Sequence, residues 1–143
     1  IGDGIMAIFD ASTSSGKNCS NAVNSASEIS KNMKTLNSEM KVDFSEEIRF
    51  GMGIHAGSTI VGLMGYGKTV TETAVGDNVN IASRLEELTK TYKCELIISK
   101  YVAEKANISN EILSLKAVDI RGRKEKLEIF RIEDASELSL VLV

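Results

Sequence analysis

Ile48, Phe50, Met52 and Ile54 alternate with Arg49, Gly51, Gly53 and His55. That period of two predicts a strand with one buried face, and the glycines on the other face leave room for close backbone approach. Upstream, Ala22, Ala26, Ile29, Met33, Leu36 and Met40 recur at spacings of four and three, the seam of a long amphipathic helix packed on a core. Ile5–Phe9 is wholly apolar and follows Gly2-Asp3-Gly4, which predicts the turn and second strand of a hairpin. Ala11–Lys17, rich in Ser, Thr and Gly, predicts a loop.

Past the alternating strand, Ala56-Gly57 predicts a turn and Ser58–Met64 a second strand. Gly65–Lys68 is a glycine-punctuated loop and Thr69–Val75 is extended. Gly76-Asp77 opens a helix to about Lys90, with Asp77 placed to cap it. Glu95–Ser99 predicts a buried strand, and a short helix follows near Tyr101–Lys105. Leu113–Ile120 and Leu127–Glu133 predict two final strands around the basic turn Arg121–Lys126. Strands and helices alternate without repeats or proline. The expectation is one α/β (α+β) domain over residues 1–133 with a mostly antiparallel sheet, because several connections are too short for crossovers. Residues 134–143 are expected to be a C-terminal tail.

Composition narrows the function. A net charge of −3 excludes a broad basic surface for nucleic acid but leaves room for a local anion site. Aromatics are 5% and Trp is absent, so the core must rest on Ile, Val, Leu, Met and Ala. Cys19 and Cys94 lack metal spacing; free buried thiols suit a reducing compartment, so a cytoplasmic setting is expected. No apolar run approaches the ~20 residues of a membrane span, and Leu138–Val143 is far too brief. The chain opens on Ile1 without a signal-peptide pattern, which is read as a fragment of something longer whose parent is free to carry a membrane anchor.

Three constellations carry chemistry. Asp3, between glycines at a hairpin tip, suits a hard cation such as Mg²⁺, or is an ordinary Asp-Gly turn. Asn80 and Arg84 stand four apart and leave one helix face together, beside the docking stripe Ile81, Leu85 and Leu88. An amide beside a guanidinium suits a phosphorylated ligand, because the planar fork of Arg donates two hydrogen bonds at once; a solvated helix face is the alternative. Arg121-Gly122-Arg123-Lys124 is a tight cationic turn, either phosphate-binding or solubilising.

Together these segments resemble one family. Ile1-Gly2-Asp3-Gly4-Ile5-Met6-Ala7-Ile8-Phe9 resembles the hairpin of class III adenylate and guanylate cyclases that carries their second metal-binding Asp. Gly53-Ile54-His55-Ala56-Gly57, with Val61-Gly62 and Gly65, resembles their central hairpin. Val75–Leu85 is similar to the family's helix signature, and Ile120-Arg121-Gly122-Arg123 sits where the family often has Lys-Gly-Lys. The four matches keep the family's order over roughly residues 1 to 133.

The resemblance, strongest to bacterial adenylate cyclases, implies a ferredoxin-like cyclase homology domain whose first strand and helices are missing. The first metal Asp, the phosphate-cradling segment and a base-reading Lys would all lie upstream of Ile1, so the fragment itself is expected to be inactive. By the same resemblance Asp3 is one of two aspartates holding two divalent metal ions, Mg²⁺ or Mn²⁺. Asn80 positions the ribose, and Arg84 stabilises charge on the α-phosphate and leaving pyrophosphate. Arg121, or second Arg123, contacts the terminal phosphates. Thr73 falls where the base is read and favours ATP, since its hydroxyl accepts from the adenine amino group. The implied activity is conversion of ATP to cyclic AMP and pyrophosphate for intracellular signalling, at sites on a homodimer interface. The alternatives are a guanylate cyclase and a degenerate cyclase-like module that dimerises or senses nucleotide.

Overall fold

A computed structural model describes residues 3–9, 15–109 and 113–138. Helix α1 (Ser15–Met40) begins inside the expected loop, whose residues 11–14 lie outside the described ones. Its buried face is Cys19, Ala22, Val23, Ala26, Ser27 and Ser30, small side chains that let it lie close to its neighbours. The expected seam holds at Ala22 and Ala26, but Ile29 and Leu36 are exposed. Ser30 takes an inward position because its hydroxyl donates to the Glu95 carboxylate at 2.6 Å, which removes the cost of burying it.

Strand β1 is only Met52–Ile54. The expected start at Ile48 is not in the ladder: the Asn37 amide bonds both the N–H and the C=O of Ile48, taking the place of a neighbouring strand. Next come β2 (Ile60–Tyr66) and β3 (Thr69–Val75), then α2 (Asp77–Tyr92), β4 (Leu96–Ser99), α3 (Lys100–Lys105), β5 (Ser114–Val118) and β6 (Leu127–Ile132). A 3-10 helix, Ala135–Glu137, docks the fully buried Ala135 where a plain tail was expected. Residues 139–143 of that tail lie outside the described residues.

The main sheet runs β1-β4-β6-β5, parallel between β1 and β4 and antiparallel elsewhere. β2 and β3 pair only with each other, as a separate antiparallel ribbon. Mixed α/β architecture with a mostly antiparallel sheet and flanking helices is therefore the observed fold. Ile5–Phe9, expected as a strand, has no regular structure, and Ile5 is 97% exposed. A strand needs a ladder partner, and no described strand adjoins this segment. Ile1 and Gly2 of that motif lie outside the described residues.

Period-two alternation sorts the sheet's apolar residues between two cores. Leu96, Ile98, Phe130 and Ile132 join α1 and α3 residues on one face. Ile97, Ile129 and Val118 meet Ile81 and Leu85 of α2 on the other. Met52 and Ile54 of β1 turn to the α1 side, which leaves Gly51 and Gly53 facing α2. A Cβ at Gly53 would fall on the Ala82 carbonyl oxygen and the Glu86 amide nitrogen. Glycine there admits the helix backbone itself. No described helix is long and apolar enough to cross a membrane.

Candidate active site

Helix α2 is docked by its inner residues Ile81, Leu85 and Thr89, spaced by four, so the face beside this stripe is free to look out. Asn80 is exposed on that face and Arg84 half-exposed, both away from the two cores. The Arg84 guanidinium rests on the Glu87 carboxylate at 2.5 Å, an exposed i,i+3 pair. Such a pair is worth about 0–1 kcal/mol, so a phosphate can displace it.

The helix starts differently from expectation. Gly76, with φ 143°, is the N-cap and makes no side-chain capping bond. Asp77 sits instead in the first turn, where its charge favours the positive end of the helix dipole.

Two residues before Asn80, Asn78 is held from both sides. Its Nδ2 donates to the Ser58 carbonyl at 2.6 Å, so its Oδ1 faces His55 Nε2 at 3.0 Å. Oδ1 can only accept, so the proton sits on Nε2 and Nδ1 carries a lone pair. That Nδ1 is buried and has no partner among the described residues. Burial pushes the His55 imidazole below its usual range, the Asn78 bond partly opposes this, and the Arg123 charge adds to it.

The sign follows. The folded protein holds His55 neutral while the unfolded chain protonates it near pH 6.5. This contribution to stability is complete above that value and is lost as pH falls below it toward the lower folded pKa. Melting temperatures between pH 7.5 and 5 should fall more steeply for the native protein than for His55→Gln; parallel curves would contradict the buried neutral imidazole.

Thr73 lies on β3, half-buried, opposite Gly62 of β2. A Cβ on Gly62 would meet nothing within 4 Å, so the space at that pair is open. β3 runs directly into α2 through Gly76, which brings Thr73, Asn80 and Arg84 onto consecutive elements. The basic turn closes with Arg123 N–H donating to Ile120 C=O at 3.0 Å, and Gly122 has φ 91°. Ile120 anchors it in the core while Arg121 and Arg123 stay exposed. Of the two arginines, Arg123, ranked second by resemblance, is the one whose charge is felt at His55, beside the start of α2.

Asp3 stands exposed in a turn, and no hydrogen bond or ion pair joins it to the α2 group among the described residues. A single exposed carboxylate fits one ligand position of Mg²⁺, which keeps waters and takes phosphate oxygens. No group of three or more His, Cys, Asp or Glu side chains converges among the described residues. Cys19 and Cys94 are free and buried, and burial raises both thiols.

Sequence reasoning missed His55 and Asn78 as a pair. The signals were present: His55 is the only histidine, and Asn78 opens the helix that carries Asn80.

The model of the adenylate and guanylate cyclase catalytic domain matches residues 1–134. The chain belongs to this family. An adenylate cyclase of Anabaena cylindrica is 31% identical over 93% of this chain and 27% of its own length. The terminal-differentiation-specific adenylate cyclase of Dictyostelium discoideum is 32% identical over 94% of this chain and 6% of its own. The chain thus spans only a small part of these curated relatives. Among solved structures, the guanylyl cyclase Cya2 superposes with a TM-score of 0.78 at 26% identity, covering 98% of this chain and 72% of that one. The adenylyl cyclase CyaB from P. aeruginosa gives 0.70 at 21% identity, covering 87% and 64%, a likeness of fold. This chain is therefore a cyclase catalytic domain with adenylate cyclase relatives at about 30% identity.

Proposed function

We propose that the domain makes 3′,5′-cyclic AMP and pyrophosphate from ATP. The observation that carries this reading is the outward pairing of Asn80 and Arg84 on the helix that follows Thr73. In the reaction the ribose 3′-oxygen attacks the α-phosphorus and pyrophosphate leaves. The protein contributes positioning and charge stabilisation rather than a covalent intermediate. Asn80 holds the ribose, Arg84 meets charge growing on the α-phosphate and leaving group, and Arg121 or Arg123 meets the terminal phosphates. Thr73 accepts a hydrogen bond from the adenine amino group. Two divalent ions, with Asp3 as one carboxylate ligand, would supply electrostatic stabilisation of the triphosphate and a more acidic 3′-hydroxyl.

The β2–β3 ribbon exposes Ile60, Leu63 and Tyr66, the last at 96%. Apolar side chains left in solvent on a ribbon that pairs with no other described strand suit a protein partner, and we assign this ribbon to the contact with the second subunit of a head-to-tail homodimer with sites at the interface. Residues 1–133 are assigned to this catalytic unit, with 134–143 as its C-terminal extension. The setting proposed is cytoplasmic.

A second reading, guanylate cyclase, draws support from the match to the guanylyl cyclase Cya2. Competing ATP against GTP with Mn²⁺ in the full-length protein separates the two. The expected result is a higher kcat/KM for ATP, with Thr73→Val lowering the ATP:GTP ratio about ten-fold, the loss of one hydrogen bond. A native preference for GTP would replace the first reading with the second.

A further inference from the structure

We propose that His55 and Asn78 are positioning residues for this reaction, a hydrogen-bonded latch that sets Asn80 relative to Thr73. The inference rests on the cyclase reading above. The β2–β3 ribbon shares no ladder with the main sheet, so backbone pairing does not fix its orientation over α2. The Asn78 amide supplies a fixed point: it bonds the Ser58 carbonyl, two residues before β2 begins, and receives the His55 N–H from just past β1. Gly57 makes the fit available, because a Cβ there would stand 2.5 Å from the Asn78 side-chain amide. One side chain thus ties together the end of β1, the entry to the ribbon and the first turn of α2. Thr73 lies in the ribbon and Asn80 in that first turn, so the latch fixes the distance between base and ribose contacts. Neither His55 nor Asn78 has to touch the nucleotide.

The test uses the full-length protein and the variants His55→Ala, His55→Asn, His55→Gln and Asn78→Ala. The amide nitrogen of Gln reaches about as far as Nε2, whereas that of Asn reaches only as far as Nδ1. His55→Ala, His55→Asn and Asn78→Ala should lose about ten- to a hundred-fold in kcat, the scale of a small misplacement. KM for the nucleotide should change by less than about three-fold, since the binding groups remain. His55→Gln should retain most of kcat. The double variant His55→Ala/Asn78→Ala should be no worse than Asn78→Ala alone, because that single change already removes the His55 link along with the Ser58 one.

Native-like kcat in His55→Asn, or equal loss in His55→Gln and His55→Asn, overturns the proposal, the second outcome marking the ring as a space-filler. Amide hydrogen exchange supplies an arm independent of turnover. Residues 58–61 and 77–80 should exchange faster in His55→Ala and Asn78→Ala but not in His55→Gln, and unchanged exchange overturns the latch. A native protein that cyclises neither ATP nor GTP counts against the proposed function, while the exchange arm still decides the latch.

Discussion

Arg84→Ala should lower kcat by about 10²–10³-fold with KM for the nucleotide little changed, the usual cost of deleting one preorganised partner of transition-state charge. Arg84 sits on a helix docked through Ile81 and Leu85, so its stem is aimed while its head is half in solvent. Its resting partner, Glu87, is exposed, and the pair costs little to break. In the proposed role, the guanidinium is therefore free to follow the phosphate as charge builds. Arg84→Lys should recover only part of the rate, because a point charge does not reproduce the two-pronged contact. Steady-state kinetics on the full-length protein check this, and a wild-type kcat in Arg84→Ala would remove the residue from the reaction.

The second large effect is on stability. Gly53→Ala should destabilise the fold by about 3 kcal/mol, a drop of roughly 10 °C in Tm. The added methyl would meet backbone atoms of Ala82 and Glu86, and no rotamer change relieves a clash with backbone. The helix must lift from β1 or the strand must bend. Gly62→Ala is the control: its Cβ enters open space, so stability should move by no more than about 0.5 kcal/mol. Differential scanning calorimetry of the two variants tells a close approach from a general dislike of alanine in strands. Equal shifts would mean that α2 does not lie against Gly53.

What could be read from the chain follows from what is local. α2 was legible because Ile81 and Leu85 repeat at helical spacing, and the close approach at Gly53 was foreshadowed by glycines alternating with Met52 and Ile54. The ends were less legible. Asn37 removes Ile48 from the ladder by an interaction across a turn, and Ser30 displaces Ile29 from the buried face of α1 because Glu95, far along the chain, offers a partner. Strand pairing was hidden for the same reason: β1 pairs with β4, not with the following strand, and periodicity carries no record of partners. Ile5–Phe9 had the composition of a strand without a described neighbour to complete it. At the candidate site, the outward placement of Asn80 and Arg84 was legible from their spacing on one element. The His55–Asn78 contact did not, since it joins two elements through the geometry of a loop.

β4 and β6 stand as a wall between two apolar compartments, and only one of them backs the helix bearing Asn80 and Arg84. Damage beneath α1, at Val23 or Ala26, would thin the population of intact molecules while each survivor kept its rate. Damage beneath α2, at Ile81 or Leu85, would harm both quantity and pace. With the proposed roles of Asn80 and Arg84, abundance and turnover would thereby come under partly separate control within one small fold.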